Sequence, residues 1–186
     1  MIIAISGLHG TGKSTIAKLL ADKLGIFYYS TGQAFRDLAK ENNMSLEEYS
    51  HFVEMHPDID KELDNKVVNM AKKGSIIIDS QLSGHILKSM ANFKVQLTCP
   101  IEVRVKRMAD RDKTSYEEKL NETTIREKSE LERFKKLYNI DLSDNKSTKE
   151  FFDLIINTEH LTIEEIVDKI LTELNKMKSY FFFQKA

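Results

Sequence analysis

Gly7-Leu8-His9-Gly10-Thr11-Gly12-Lys13-Ser14 is the stretch that decides the fold. It is a complete G-x4-G-K-S. The apolar run Met1–Ile5 precedes it, and Ser14–Leu24 follows with apolar residues at Ile16, Ala17, Leu19, Leu20 and Leu24. A strand, a glycine-rich turn and an amphipathic helix in that order make a cradle for phosphate. Glycines let backbone N–H groups converge on phosphate oxygens without side-chain interference. The helix N-terminus adds its dipole and its unpaired donors. Lys13 is expected to place a compact cation on the β- and γ-phosphates, and Ser14 to offer a hydroxyl to Mg²⁺. Three of the seven glycines of the chain fall in this octapeptide, more than a generic turn would gather. His9 stands at a variable position of the motif and reads as a spacer. The octapeptide together with Thr15 is the expected ATP-binding loop.

Outward from the loop, four more short apolar runs follow: Ile26–Tyr29, Ser75–Ile78, Phe93–Leu97 and Phe151–Ile156. None alternates cleanly, which predicts strands buried on both faces of a parallel sheet. Helical patterns lie between them. Three begin with a capping box, Ser45–Glu48, Ser115–Glu118 and Thr162–Glu165, in which a hydroxyl and a carboxylate satisfy free N–H groups. Pro57 separates the helix opening at Ser45 from the one carrying Leu63, Val67 and Met70. The alternation predicts an α/β fold, a doubly wound parallel five-stranded sheet. Two helical excursions, 33–72 and 113–138, interrupt it.

Composition bounds the function. At about 150 residues per domain, a chain of 186 residues is one domain. With 28 Lys+Arg against 29 Asp+Glu, broad adhesion to nucleic acid or to an anionic membrane is not expected, and any positive site must be local. The single cysteine, Cys99, excludes a disulfide framework and fits a cytoplasmic protein. No apolar run approaches the length of a membrane span, and the N-terminus lacks the basic region of a signal peptide. The run Tyr180-Phe181-Phe182-Phe183 is too short to decide anything.

Asp79 ends the run Ile76-Ile77-Ile78. A carboxylate at the carboxyl end of a central strand would lie beside the phosphate loop and hold Mg²⁺ through water. The guanine-reading N/T-K-x-D of a GTPase is not matched: Asn145-Lys146-Ser147-Thr148 starts that pattern and lacks its Asp. Arg126, Glu130 and Arg133 are spaced i, i+4, i+7 and share one helix face, as do Arg104, Arg107 and Arg111 at i, i+3, i+7. Asp60 and Asp64 share a face in the same way and are candidates to meet an acceptor sugar.

The phosphate loop followed by Ser30-Thr31-Gly32-Gln33-Ala34-Phe35-Arg36 resembles the nucleoside monophosphate kinases. That second stretch alone looks like adenylate kinase. The rest is more similar to the compact archaeal-type cytidylate kinases. The matching stretches are His56-Pro57-Asp58-Ile59-Asp60-Lys61-Glu62-Leu63-Asp64, Ile78 to Gly84, Tyr138-Asn139-Ile140-Asp141 and Leu154 to Thr158. The resemblance implies transfer of the ATP γ-phosphate to CMP or dCMP with Mg²⁺, by a monomer acting on small nucleotides. It implies an acceptor lobe at about 30–72 and a lid at about 111–126. Thr31, Gly32, Arg36, Asp79, Gln81 and Glu130 would meet the acceptor, and Arg126 and Arg133 would act on the phosphates. Arg107, Asn157 and Thr158 would meet ATP. Two positions depart from the pattern: Gln81 stands where it commonly has Arg, and Leu82 where bacterial relatives carry a cytosine-reading Asp. Two other readings stay open, an adenylate or other monophosphate kinase, and an NTP-binding switch or assembly ATPase.

Overall fold

The computed structural model describes residues 1–142 and 149–183, the last six as backbone only. Asn145 to Thr148 and the side chains of the Phe-rich tail lie outside the described residues. Five strands form one sheet in the order β2-β3-β1-β4-β5, every neighbouring pair parallel. They are β1 (Ile2–Ser6), β2 (Phe27–Ser30), β3 (Ile76–Asp79), β4 (Phe93–Thr98) and β5 (Leu154–Asn157). The register aligns Ile5 of β1 with Asp79 of β3 and with Val95 of β4. The three inner strands are almost wholly buried, as unalternating apolar runs require, while β2 and β5 keep exposed positions at the edges.

Helices cover both faces. On one, α1 (Lys13–Leu24) and α8 (Ile163–Phe183) pack Leu20, Val167 and Ile170 onto Ile3, Ile5, Ile77 and Val95. On the other, α4 (Pro57–Lys72) and α5 (Ser83–Ile86) bring Val67 and Ala71 onto Ala4, Ile76 and Ile78, with Leu87 just beyond α5. Before α4 come α2 (Thr31–Glu41) and α3 (Leu46–Met55), joined by a small core of Ala39, Tyr49 and Val53. The excursion at 33–72 is therefore three helices, and Pro57 opens the third at its first turn. The excursion at 113–138 belongs to a helical hairpin: α6 (Ile101–Asp112) and α7 (Tyr116–Tyr138) meet at Lys113, which takes a left-handed φ of 56°. The stretch expected as a lid, 111–126, is thus the end of α6, the turn and the first half of α7.

All three capping boxes form, with Ser45, Ser115 and Thr162 each accepting from the N–H of the Glu three residues on. The strand bounds shift by one residue at most, with one exception. The fifth strand starts at Leu154, not Phe151. Phe151 stacks on His85 with centroids 4.4 Å apart and meets Phe152 edge-on, so aromatic packing against α5 takes these two residues out of the sheet.

Candidate active site

The phosphate loop joins β1 to α1 at the carboxyl end of the sheet, where doubly wound folds bind ligands. Its glycines are required by conformation. Gly10 has φ 76°, and a Cβ there would lie 2.7 Å from the Arg104 carbonyl oxygen. Gly12 caps α1 at φ 92°, a conformation L-residues avoid. The loop is cross-braced from within: the Thr11 hydroxyl donates to Leu8 O (2.8 Å) and Lys13 Nζ donates to the same oxygen (2.9 Å). It is braced from outside by Arg104, whose Nη1 donates to His9 O (2.8 Å). Burial pulls the Lys13 ammonium from 10.5 down to about 8, against the opposing pull of Asp79, Glu130 and Glu127. A phosphate arriving at Lys13 would restore the charge that burial disfavours.

Asp79 sits where the sequence placed it. Ser14 Oγ donates to its Oδ1 (3.3 Å), and Tyr28 OH donates to its Oδ2 (2.5 Å). Burial first, then the Asp79 charge and hydrogen bond, push the Tyr28 phenol up to about 12, so it stays a donor. The Ser14 hydroxyl and the Asp79 carboxylate are hard oxygen ligands side by side. Among the described residues no cluster of three or more His, Cys, Asp or Glu forms a metal cage. That pairing fits Mg²⁺, which takes one or two protein oxygens and completes its shell with phosphates and water.

The cleft in front of the loop has a volume of about 1020 Å³, at the top of the range for small-molecule sites and large enough for two nucleotides. Thr31, Gly32, Arg36, Gln81, Arg126 and Glu130 line it, so the expected acceptor residues do meet. Arg36, from α2, is lowered first by burial and then by Arg111 and Arg126, both from the α6–α7 hairpin. Cations from α2 and from the α6–α7 hairpin therefore line one cleft. Arg126 Nε lies 3.0 Å from Glu130 Oε1, and its guanidinium sits 5.9 Å from the Phe35 ring centroid.

Several residues stand otherwise than the sequence suggested. His9 is no spacer: its Nε2 is 2.7 Å from Glu130 Oε2, tying the phosphate loop to α7. Gln81 Nε2 donates to the same carboxylate oxygen (2.7 Å) and lies 3.0 Å from His9 Nε2. Burial works against the Glu130 charge, but His9, Arg126 and Gln81 outweigh it and hold the carboxyl well below its usual range. Arg104 is structural: it grips Glu127 through both guanidinium nitrogens at 2.5 and 3.1 Å, and both residues are buried. Arg107 donates to Thr158 Oγ1 (3.0 Å) and O (2.7 Å), and the Thr158 hydroxyl is 3.2 Å from Thr11 O. Asn157 stays out of the cleft lining, with its Oδ1 accepting from the Glu159 N–H as a strand-end turn (3.0 Å). Arg133 enters the cleft beside α4, where its Nε is 2.8 Å from Asp60 Oδ2.

Residues 2–160 match the cytidylate kinase-like family. The chain belongs to that family. Curated cytidylate kinases are similar over nearly their whole length. That of Staphylothermus marinus is 37% identical over 93% of this chain and 99% of its own. That of Aeropyrum pernix is 42% identical over 90% and 95%, and that of Methanocaldococcus jannaschii 34% over 96% and 99%. Solved structures share the fold at lower identity. A protein from Eubacterium ventriosum has a TM-score of 0.64 at 19% identity, covering 94% of this chain and 98% of its own. A shikimate kinase from Aquifex aeolicus has 0.56 at 21%, covering 96% and 98%.

This member of the cytidylate kinase-like family carries site residues that reading the sequence missed. Tyr28 holds Asp79, and Tyr138 donates to Asp64 Oδ2 (2.5 Å). Tyr28 carried no usable signal, because an apolar run ending in two tyrosines looks like any edge strand. Tyr138 did carry one, lying in a quoted stretch of resemblance, but spacing could not supply its partner 74 residues away.

Proposed function

We propose that the protein transfers the γ-phosphoryl group of ATP to CMP or dCMP, giving ADP and CDP or dCDP. The bond between the β,γ-bridging oxygen and the γ-phosphorus breaks. A bond from an acceptor phosphate oxygen to that phosphorus forms. The acceptor phosphate is already an anion, so no strong base is needed, and the task is to position two phosphates and neutralise their charge. The phosphate loop binds the ATP phosphates, with Lys13 on the β- and γ-groups. Arg107 and Thr158 flank the ATP side. Thr31, Gly32 and Arg36, in a lobe spanning about 30–72, bind the acceptor phosphate together with Gln81, which follows β3. Arg111 and Arg126, from a lid at about 111–126, close on the group in flight and exclude water. Glu130 positions His9 and Arg126. Mg²⁺ bound at Ser14, and at Asp79 through water, would neutralise phosphate charge. The reading places a monomer in the cytoplasm, with ATP and CMP or dCMP as its partners.

The observation that carries this is the convergence of Lys13, Arg36, Arg111 and Arg126 on one cleft in a member of this family. A switch ATPase needs one phosphate site; the gathering of Arg36, Arg111 and Arg126 on the cleft supports a second. The test is ADP release measured with and without CMP, dCMP, UMP, AMP and GMP at fixed Mg²⁺-ATP. The expected result is release that depends on the acceptor and is fastest with CMP or dCMP. Equal release without acceptor would make the protein an ATPase, and AMP at the top would make it an adenylate kinase.

A further inference from the structure

Where α4 runs beside the outer half of α7, two pairs face each other across the cleft. Arg133 Nε lies 2.8 Å from Asp60 Oδ2, and Tyr138 OH donates to Asp64 Oδ2 at 2.5 Å. All four residues line the cleft. Neither the phosphate loop nor the Mg²⁺ site uses them. We infer that this group reads the base of the acceptor, with its carboxylates accepting from the 4-amino group of cytosine and the Arg133 guanidinium donating to the neighbouring ring nitrogen. The inference rests on the kinase reading and deepens it.

Position comes first. Glu130 touches His9 of the phosphate loop. At about 1.5 Å of rise per residue, Arg133 stands about 4.5 Å and Tyr138 about 12 Å further along α7. An acceptor held by its phosphate at Arg36 and Gln81, the latter in contact with Glu130, would bring its base to that end. Phe35, Leu63 and Phe134 line the same cleft and offer apolar walls for a flat ring.

The first pair is also unsaturated in a way a purely structural ion pair is not. Arg133 and Asp60 touch without an aligned hydrogen bond, and Arg133 Nε and Nη1 and Asp60 Oδ2 have no hydrogen-bond partner. Burial holds both the Asp60 and the Asp64 carboxyls above their ordinary value. Keeping two carboxylates half-buried and close together costs stability unless something uses them. Tyr138 fixes what Asp64 does. Burial and then Asp64 itself push the phenol above its ordinary value, so the proton stays on the tyrosine and Asp64 remains an acceptor.

The chemistry then selects one pyrimidine. Cytosine presents an amino donor beside a ring-nitrogen acceptor, which match a carboxylate and a guanidinium. Uracil reverses both, with a carbonyl oxygen facing the carboxylate and an N–H facing the guanidinium. A site built around such groups rejects the mismatched base strongly, because its buried partners are left unpaired. Adenine carries the same amino-beside-nitrogen edge on a larger ring, so its exclusion would fall to the apolar walls.

The experiment is kcat/KM for CMP, dCMP and UMP at saturating Mg²⁺-ATP, for wild type, Asp64→Asn, Asp60→Asn and Tyr138→Phe. A ratio of two acceptors on one preparation does not depend on the folded fraction, so partial misfolding does not mask the answer. Asp64→Asn can turn its amide N–H₂ toward a uracil carbonyl. The CMP-over-UMP preference should therefore fall by about 10- to 100-fold, the scale of one charge-assisted hydrogen bond. Tyr138→Phe should lower it by about 2- to 10-fold, and CMP over dCMP and the ATP KM should stay as in wild type. An unchanged CMP-over-UMP ratio in all three variants would overturn the inference, and so would a shift confined to CMP over dCMP, which would make the group a reader of the sugar. Wild type inactive on every monophosphate would instead overturn the kinase reading beneath it.

Discussion

Replacing Lys13 by Met separates what this residue does for catalysis from what it does to the fold. Burial lowers the ammonium from 10.5 to about 8, a penalty of about 3 kcal/mol at about 1.4 kcal/mol per pH unit. The side chain keeps part of its surface in the cleft, so solvent screening reduces the recoverable part to about 1–2 kcal/mol. Losing the Nζ bond to Leu8 O does not orphan that carbonyl, because Thr11 Oγ1 donates to it as well. Without nucleotide at pH 7, Lys13→Met should therefore be more stable than wild type, by about 2–8 °C in Tm for a chain of this size. The sign with pH follows from the lowered value. Between about 8 and 10.5 the unfolded chain binds the proton that folded wild type has lost, so wild-type stability rises there. The advantage of the variant is full below about pH 8 and fades toward 10.5. Activity moves the opposite way: removing a preorganised charge from the transferring phosphate should lower kcat by at least about 100-fold. Urea or thermal unfolding without nucleotide at pH 7 and pH 10, alongside steady-state kinetics, reads both. A variant less stable than wild type at pH 7, or one turning over at half its rate, would refute the reasoning.

Arg104→Ala should act on the fold, since it strands the buried Glu127 carboxylate. At about 3–5 kcal/mol for breaking a buried pair, Tm should drop by about 6–20 °C, and a change under about 2 °C would mean that Arg104 does not anchor the loop. Gly10→Ala forces a side chain into φ 76° with its Cβ 2.7 Å from the Arg104 carbonyl. With strain of about 1–3 kcal/mol, calorimetry should show Mg²⁺-ATP binding weakened by about 10-fold or more, and an unchanged Kd would show that the loop tolerates the Cβ.

The fold was legible because its signals are local. Unalternating apolar runs mark buried strands wherever they fall, and a capping box is complete within four residues. The one strand boundary misplaced by more than a residue, Phe151 in place of Leu154, arose where a long-range aromatic contact with His85 competed with the sheet for the same residues. The site was legible in its loop, in Asp79 and in which residues gather on the cleft, but not in who pairs with whom. Periodicity put Arg104, Arg107 and Arg111 on one helix and left open which of them were free. Their separate roles came from partners far along the chain: Glu127 for Arg104, Thr158 for Arg107, and electrostatic reach to Arg36 for Arg111. His9 shows the same limit. Nothing in the motif distinguishes it, and its partner Glu130 is 121 residues away.

A net charge of -1 on a protein that must grip several phosphates follows from how its cations are kept. Lys13 leans on a carbonyl, Arg126 on Glu130, Arg111 on Asp112 and Arg133 on Asp60. Each partner offsets the charge of its cation, although Arg133 and Asp60 do so without an aligned hydrogen bond. Phosphate binding is then an exchange of partners, which lowers its net gain below that of meeting bare charges. Arg36 differs. Its Nη2 donates to the neutral Gln33 Oε1 (2.9 Å), and Arg111 and Arg126 push on it. An acceptor phosphate placed there relieves repulsion and has no anion to displace. On this balance Arg36→Ala should raise the acceptor KM more than Arg126→Ala, since release of Arg126 leaves Glu130 with only His9 and Gln81; equal effects in steady-state kinetics would refute it.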